Sequence, residues 1–168
     1  MRSESVKRII VIGCPGSGKS TLSAALHNKT GIPLFHLDMM FWNADKTTVE
    51  KAVFRKRLSN VLQLDEWIID GNYQSTMELR LQACDTVIFL DYSLETCLEG
   101  VHARRGKARA DMPWFEKENE EDAEFIRFIK NYRLESRPIV LELLKKYDHK
   151  NLYVFKERSE TAKFLEQL

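Results

Sequence analysis

The first residues with recognisable chemistry lie at positions 13–20, where the chain runs Gly-Cys-Pro-Gly-Ser-Gly-Lys-Ser. This is the pattern G-x-x-x-x-G-K-[ST], placed between an apolar run at 6–12 and an amphipathic run that starts at Lys19. In such a loop the glycines let backbone N–H groups surround a phosphate, the lysine reaches the outer phosphates, and the serine hydroxyl is a ligand for Mg²⁺. We therefore expect a nucleotide to bind here through its phosphates. The candidate nucleotide-binding residues are Gly13, Cys14, Pro15, Gly16, Ser17, Gly18, Lys19, Ser20 and Thr21.

Three aspartates, Asp38, Asp70 and Asp91, each follow a short apolar run. Because the carboxyl ends of parallel strands meet at one edge of a sheet, where ligands bind, we expect these carboxylates near Lys19. A carboxylate there can hold Mg²⁺ or accept a proton from an attacking hydroxyl. The alternative is that an aspartate after a strand only caps the next turn. We favour capping for Asp91 and a role in the site for Asp38 and Asp70.

Basic side chains are concentrated at residues 102–109. Cations that close over the phosphates neutralise charge during phosphoryl transfer, and an arginine in that place accelerates the reaction by ~10³ or more. A solvated basic loop is the alternative interpretation. The cluster consists of His102, Arg104, Arg105, Lys107 and Arg109.

Aromatic residues follow two of these aspartates and are candidates for the wall of an acceptor pocket, although packing in the core is equally compatible with their types. Arg80 is a candidate for gripping an acidic acceptor, or else an ordinary arginine on a helix surface. We interpret His36 as a hydrogen-bonded core histidine. The candidate acceptor-pocket residues are Asp38, Phe41, Trp42, Tyr73 and Arg80.

The elements that must position these residues alternate between strand and helix patterns, which favours a parallel α/β sheet. Pro138 is expected to divide the helical pattern at 120–147. T-x-x-E and S-x-x-E patterns predict helix starts at Thr47 and Ser75, and Ser159 is expected to cap a last helix. The predicted strands are residues 6–12, 34–37, 67–69, 86–90 and 152–155.

Composition limits the class of protein. The 168 residues fit a single domain, with a loop at about 106–119 whose length is typical of a lid. With 26 Lys plus Arg against 25 Asp plus Glu, the net charge of +1 argues against direct DNA binding. Three cysteines without C-x-x-C spacing indicate neither a disulfide framework nor a zinc site. We expect a cytoplasmic protein without a membrane span or signal peptide.

Several local sequences resemble one family. They are His36-Leu37-Asp38 with Phe41-Trp42, Trp67-Ile68-Ile69-Asp70-Gly71-Asn72-Tyr73, Arg80, and Leu90-Asp91 with Cys97 and Arg104-Arg105. Together with the phosphate loop they look like the adenylate-kinase-like branch of the P-loop kinases. Within that branch they resemble most closely the bacterial proteins labelled DNA topology modulation protein, or FlaR.

The resemblance implies a P-loop NTPase three-layer sandwich with a five-stranded parallel sheet in the order 2-3-1-4-5, helices on both faces and a short lid. It also implies that Asp38 faces the acceptor, that Asp70 stands where an acidic residue orders Mg²⁺, and that the lid begins at Arg104. One departure is Gly100, because proteins of this type usually carry an arginine there that stacks on adenine. Arg104 or Arg105 are the candidates to replace it. The clamp on the phosphates is then expected to comprise Arg105, Arg109, Arg133 and Arg137.

The function that these features indicate is transfer of the γ-phosphate from Mg·ATP to a small-molecule or nucleotide acceptor. Lys19, Asp38 and Arg104 are the candidate catalytic residues, and Ser20 and Asp70 the candidate metal ligands. Two alternatives stay open: a nucleotide-binding regulatory protein that influences DNA topology, and a simple ATPase in which Asp38 positions water. The sequence defines neither the acceptor nor the oligomeric state.

Overall fold

A five-stranded parallel sheet forms the centre of the protein in a computed structural model, which describes residues 6–114 and 123–168. The strand order is β2-β3-β1-β4-β5, so the expected α/β fold and order are confirmed. The first strand begins and ends slightly later than its apolar run. The strands are β1 (Arg8–Gly13), β2 (Leu34–His36), β3 (Trp67–Asp70), β4 (Thr86–Leu90) and β5 (Asn151–Phe155).

Helices connect the strands and cover both faces of the sheet. Pro138 lies in the first turn of a helix that follows a break at Ser136, so the predicted division of the long helical pattern is confirmed. Within the described residues the helices are α1 (Lys19–Thr30), α2 (Leu37–Phe41), α3 (Lys51–Leu62), α4 (Gln74–Ala83), α5 (Leu94–Arg104), α6 (Ala123–Glu135), α7 (Arg137–Lys146) and α8 (Arg158–Glu166).

The alternation of side chains along β1 divides the core into two layers. Ile10 and Ile12 are fully buried in a cluster that also contains buried residues of α3, α4 and α7. Ile9 and Val11 belong to a second cluster, with buried residues of α1, α5 and α6. β1, β3 and β4 are buried on both faces, which explains why their sequences are continuous apolar runs in place of alternation.

The predicted helix start at Thr47 is wrong, because α3 begins only at Lys51. Residues 42–49 form a turn in which Trp42 pairs with Thr48 in antiparallel fashion. The backbone N–H and the hydroxyl of Thr47 both donate to the Asp45 carboxylate, at 2.9 and 2.5 Å. Thr47 therefore takes part in a local turn held by the Asp45 side chain and does not cap a helix. Short polar residues often form such turns.

Two other predicted caps are also wrong. No side chain caps α4, whose preceding residue is Tyr73 in a left-handed conformation with φ 38°. The last helix, α8, is capped by a reciprocal pair of Glu157 and Glu160, and Ser159 lies inside it. The residue at which each helix begins depends on where the preceding strand ends. Short serine and threonine patterns do not specify that position.

The carboxyl ends of the strands bring the phosphate loop, α2, residues 71–73 and the loop after α5 to one edge of the sheet. Of the expected lid, the part at 106–114 is described and lies at this edge, while residues 115–119 are outside the described residues. Among the helices in the described ranges, none is long and apolar enough to cross a membrane.

Candidate functional site

The phosphate loop turns from β1 into α1 through glycines that adopt positive φ angles. Gly16 and Gly18 have φ 84° and 97°, values that side chains strongly disfavour. Gly18 precedes α1 without any side-chain cap, and no acidic residue lies in the first turn of that helix. The N-terminal N–H groups of α1 therefore stay available for an anion, and the helix dipole favours negative charge at the same point.

Lys19 folds back over this loop. Its Nζ donates to the carbonyl oxygens of Gly13 at 2.9 Å and Cys14 at 3.3 Å. Burial lowers the pKa of Lys19, although the charges of Asp70 and Asp38 oppose that effect. The ammonium group is thus held at the mouth of the loop by neutral carbonyls, which phosphate oxygens can replace.

Asn72 fastens the loop from the neighbouring strand. Its Oδ1 accepts the backbone N–H of Gly13 at 3.1 Å, and its Nδ2 donates to the Gly13 carbonyl at 2.6 Å. Both peptide groups of one residue are therefore held by one amide. Asn72 stood in the sequence pattern after Asp70, yet its partner lies 59 residues away and the sequence does not reveal it.

Asp70 and His36 form a pair across neighbouring strands. The register of β2 and β3 sets them opposite each other, with His36 Nδ1 at 2.8 Å from Asp70 Oδ2. Burial opposes protonation of His36, but the hydrogen bond and charge of Asp70 outweigh it and raise its pKa. His36 is hydrogen-bonded as expected, and it also lines the cleft described below.

Asp38 lies in the first turn of α2, just after β2. It accepts a hydrogen bond from the Tyr73 hydroxyl. Burial raises the pKa of Asp38, and the Tyr73 hydrogen bond and the Lys19 charge only partly offset that effect. A carboxylate with a raised pKa is more basic than an exposed one, which suits it to accept a proton.

Asp111, which sequence analysis did not single out, lies inside the site. It is 7% exposed and accepts a hydrogen bond from Ser20 Oγ at 2.7 Å. Burial favours its neutral form, but the hydrogen bonds from Arg109 and Ser20 and the charge of Arg109 lower its pKa to about 2. Its partner lies 91 residues earlier in the chain, and no local pattern marks such a contact.

The aromatic candidates form a connected group beside Asp38. The ring centroids of Phe41 and Tyr73 are 5.0 Å apart, and those of Phe41 and Trp42 are 5.3 Å apart. Trp114, from the loop after α5, packs edge-on against Trp42 at 4.9 Å. Trp42, Tyr73 and Trp114 line the cleft, whereas Phe41 supports them from behind.

The structure gives Arg80 a different place from the one expected. Its side chain is completely buried, and its guanidinium donates to the carbonyl oxygens of Gly71 at 3.0 Å, Tyr73 at 3.1 Å and Asn72. Burial lowers its pKa to about 9. Arg80 does not line the cleft, so it shapes the loop that carries Asn72 and Tyr73 and does not reach an acceptor.

Arg104, a candidate catalytic residue, and the four expected clamp arginines separate into two groups. Arg104, Arg105 and Arg109 line the cleft, with Arg109 paired to a carboxylate in the same loop. Arg133 is exposed on α6, and Arg137 makes two hydrogen bonds of 2.8 Å to Asp91. Neither of these last two lines the cleft.

Arg158, at the start of α8, occupies the space beside Gly100. It donates to the carbonyl oxygens of Ser17 at 3.2 Å and Gly16 at 3.3 Å. Its guanidinium lies over the Tyr92 ring, 5.4 Å from the centroid, and borders the cleft. This cation was missed because nothing in the sequence links the start of α8 to the phosphate loop.

One cleft of about 1450 Å³ joins these groups. The phosphate-loop edge of its lining is formed by Gly16, Gly18, Lys19, Ser20, Thr21 and Arg158, and the acceptor edge by His36, Asp38, Trp42, Asn72, Tyr73 and Trp114. Asp70 and Asp111 also line it. Of the other loop residues, Pro15 borders the cleft, whereas Gly13, Cys14 and Ser17 are buried behind it.

No protein-family model and no curated protein matches the sequence. The fold does match solved structures of shikimate kinases. That from Bacteroides thetaiotaomicron has a TM-score of 0.59 and 18% identity, over 97% of this chain and 96% of that one. That from Acinetobacter baumannii in complex with shikimate has a TM-score of 0.64 and 14% identity, over 98% and 91%.

A third, from Aquifex aeolicus, has a TM-score of 0.54 and 16% identity, over 95% of this chain and 92% of that one. At such identities the likeness shows the fold alone, which is the five-stranded parallel α/β sandwich expected from the sequence. The resemblance to the FlaR proteins stays a prediction.

Proposed function

We propose that this protein transfers the γ-phosphate of ATP to a hydroxyl group of a small acceptor. The observation that carries the proposal is that the phosphate loop and Asp38 line one cleft, with Lys19 and Asp38 close enough to influence each other's pKa. Phosphoryl transfer needs positioning and charge neutralisation more than a nucleophilic side chain. In this proposal residues 1–168 form one domain, and residues at about 106–119 act as its lid.

The loop and its cations would hold the nucleotide. The uncapped first turn of α1 would supply N–H donors and a favourable dipole to a phosphate, and the Lys19 ammonium would exchange its carbonyl partners for phosphate oxygens. Arg104 and Arg105 border the same space and add positive charge. Arg158 would keep the loop carbonyls turned away from the phosphates.

The oxygen ligands present fit magnesium. Ser20 and Asp70 both line the cleft, and hydroxyl and carboxylate oxygens are what this hard cation prefers. In the ranges 6–114 and 123–168 no group of three or more His, Cys, Asp or Glu side chains could hold a metal by itself. A site with only one or two protein ligands is usual for Mg²⁺, because the cation takes its other ligands from water and from the phosphates of the substrate. The bound cation would neutralise the charge of those phosphates.

Asp38 would orient the acceptor hydroxyl and accept its proton. Tyr73 holds the carboxylate from one side, and Trp42 and Trp114 contribute aromatic surface to the same part of the cleft. Burial is the main cause of the raised pKa of Asp38, so the enclosure that would hold the acceptor also makes Asp38 a better base.

The acceptor that fits best is an uncharged hydroxyl compound with a flat or apolar face, such as a nucleoside. Trp42 and Trp114 offer it aromatic edges. Two arginines on the adjoining helices are already engaged, because Arg57 donates to the Met40 carbonyl at 2.9 Å and Arg80 holds three carbonyls. Shikimate, which is bound to the Acinetobacter baumannii kinase, carries a carboxylate and is the informative anionic comparison.

The test is a thermal-shift panel followed by an ADP-release assay. Wild-type protein with Mg²⁺ should be stabilised by ATP and ADP, since a ligand at 100 times its Kd adds about 2.7 kcal/mol. Nucleosides should increase ADP release more than shikimate does. Lys19→Met should abolish the nucleotide shift, and Asp38→Asn should keep that shift but lose acceptor-dependent turnover. Asp45→Asn, an exposed turn carboxylate, is the matched control.

Three results would contradict the proposal. Absence of any nucleotide shift in wild-type protein would remove its basis. ADP release that needs Asp38 but no acceptor would indicate an ATPase. Salt-dependent binding to duplex DNA, with no phosphorylation of any acceptor tested, would indicate the regulatory alternative.

A further inference from the structure

A carboxylate from the loop after α5 reaches the serine that ends the phosphate-loop pattern. Ser20 Oγ donates to Asp111 Oδ2 at 2.7 Å across 91 residues of sequence. The Asp111 side chain is only 10% exposed, so the contact lies inside the protein. A hydrogen bond in such surroundings is stronger than one in water, and it fixes the orientation of the hydroxyl.

Arg109 fixes the carboxylate in turn. Its Nε donates to Asp111 Oδ1 at 3.0 Å and its Nη2 to Oδ2 at 2.7 Å. Two parallel bonds of this kind hold a carboxylate in one plane. The oxygen that accepts from Ser20 is therefore held in a defined place by a cation of its own loop.

The consequence for Ser20 follows from the structure of a hydroxyl group, which carries one proton and two lone pairs. A serine inside a helix often turns its proton to the carbonyl four residues earlier, which here belongs to Gly16. In this protein the proton goes to Asp111. Both lone pairs of Oγ thus remain for a partner on the open side, and Ser20 borders the cleft.

We propose that Asp111 is a positioning residue for magnesium, which fixes the Ser20 hydroxyl so that its oxygen is offered to the metal and its proton is kept away. The inference rests on the proposed function, since it assumes that Ser20 binds the metal together with a nucleotide. Groups that orient a metal ligand in this way commonly contribute about 10- to 100-fold to metal affinity. Asp111 therefore links the loop after α5 to the phosphate loop through the metal site.

The test is calorimetric titration with a non-hydrolysable ATP analogue, in Mg²⁺ and again in EDTA. The quantity measured is Kd in EDTA divided by Kd in Mg²⁺, which gives the factor by which the metal tightens binding. A merely structural contact would not change this ratio. For Asp111→Ala we expect this ratio to fall by about 10- to 100-fold while Kd in EDTA stays unchanged. Ser20→Ala should give a similar loss, and the double variant should lose no more than the single ones, because both changes remove the same interaction.

Conservative variants guard against misfolding. Asp111→Asn keeps an oxygen that can accept from Ser20 but loses the charge that pairs with Arg109. This variant should therefore keep part of the tightening that Mg²⁺ gives to nucleotide binding. Arg109→Lys keeps the cation but loses the parallel pair of bonds and should have an intermediate effect. Asp148→Ala removes an exposed carboxylate after α7 and is the matched control. Melting curves check that each variant folds.

Distinct results would overturn the inference. An unchanged Mg²⁺ ratio in Asp111→Ala and Asp111→Asn, or additive losses with Ser20→Ala, would remove the link to the metal. Equal tightening of nucleotide binding in Mg²⁺ and EDTA would show that Asp111 is a latch that competes with the ligand. If wild-type protein binds no nucleotide at all, the proposed function fails first and this inference fails with it.

Discussion

Gly100 of α5 lies directly against Gly16 of the phosphate loop: a methyl group on Gly100 would be 1.9 Å from the Gly16 carbonyl oxygen. In the other direction, a methyl group on Gly16 would be 2.0 Å from the Cys97 carbonyl oxygen. The helix therefore packs on the bare backbone of the loop. Position 100 therefore has no room for any side chain unless the backbone moves.

Gly100→Ala should destabilise the protein although alanine is the better helix former. The gain in helix propensity is about 1 kcal/mol, whereas forcing extra volume into a packed site costs roughly 1–3 kcal/mol and more when backbone must move. We expect a net loss of stability, with Tm falling by about 2–4 °C per kcal/mol, and weaker ATP binding. Thermal melts and calorimetry measure both effects.

Gly31→Ala is the control for this change. Gly31 has φ 75° and no atom within 4 Å of an added methyl group, so only backbone strain of about 1–2 kcal/mol is expected. ATP affinity should not change. A Gly100→Ala variant that melts higher and binds ATP normally would contradict the packing described here.

Arg158→Ala should weaken nucleotide binding by about tenfold, which corresponds to ~1.4 kcal/mol. The guanidinium holds the carbonyl oxygens of Gly16 and Ser17, so its loss lets the loop relax and the nucleotide must order it again. Calorimetry with ADP measures the change. Arg55→Ala, on the exposed face of α3, is the control. An unchanged ADP affinity in Arg158→Ala would show that the loop needs no such support.

Asp38→Asn should melt at a higher temperature than wild type near neutral pH while losing phosphotransfer. The pKa of Asp38 is raised in the folded protein, so its charge disfavours folding at any pH above that value. The native state binds the proton more tightly, and wild-type stability must fall as pH rises through the raised pKa. The difference in Tm should vanish below the ordinary pKa of 3.8, where Asp38 is protonated in both states. Melting curves across pH measure it.

Asp91→Asn should destabilise the protein without affecting nucleotide affinity. Asp91 is 2% exposed at its side chain and pairs with Arg137 and Lys156, whose side chains are 26% and 54% exposed. Removing one partner of a fully buried pair costs about 3–5 kcal/mol, and partial exposure of the cations reduces this to about 2–3 kcal/mol.

The pH dependence of this loss has a defined sign. Because its two cations outweigh burial and lower the pKa of Asp91, wild type gains stability above the ordinary value of 3.8 and loses it as pH falls through the folded-state pKa. Denaturant titrations of both proteins at neutral and acid pH measure the difference. A variant that keeps wild-type stability but loses ATP binding would place Arg137 in the site after all.

The sequence predicted the sheet and its edge well, for a physical reason. Strands buried on both faces need long apolar runs, and the glycines of the phosphate loop satisfy a backbone requirement that only a few spacings meet. Asp70 ends the buried strand β3 and Asp38 follows the short edge strand β2, so their arrival at the cleft required only that the sheet be parallel.

Side chains whose role depends on distant partners were not predictable. Arg80 looked like a surface or substrate arginine, yet it is buried because three consecutive carbonyls point at it. Arg137 lies on the same helical surface pattern as Arg133 but finds Asp91, 46 residues earlier. Asp111 and Arg158 contact the phosphate loop across 91 and more than a hundred residues. Such pairings are set by the folded chain and not by local spacing.

The amide of Asn72 has a consequence for how the two proposed ligands would affect each other's affinity. It grips the peptide groups of Gly13 on one side, and the next residue, Tyr73, holds Asp38 on the other. An acceptor that immobilises Tyr73 should, through the adjacent Asn72, also reduce the mobility of the phosphate loop. By thermodynamic reciprocity, whatever factor the acceptor adds to ATP affinity, ATP must add to acceptor affinity. Under the proposed function, residues 72–73 would therefore couple the two ligand sites, so that each ligand would raise the affinity of the other.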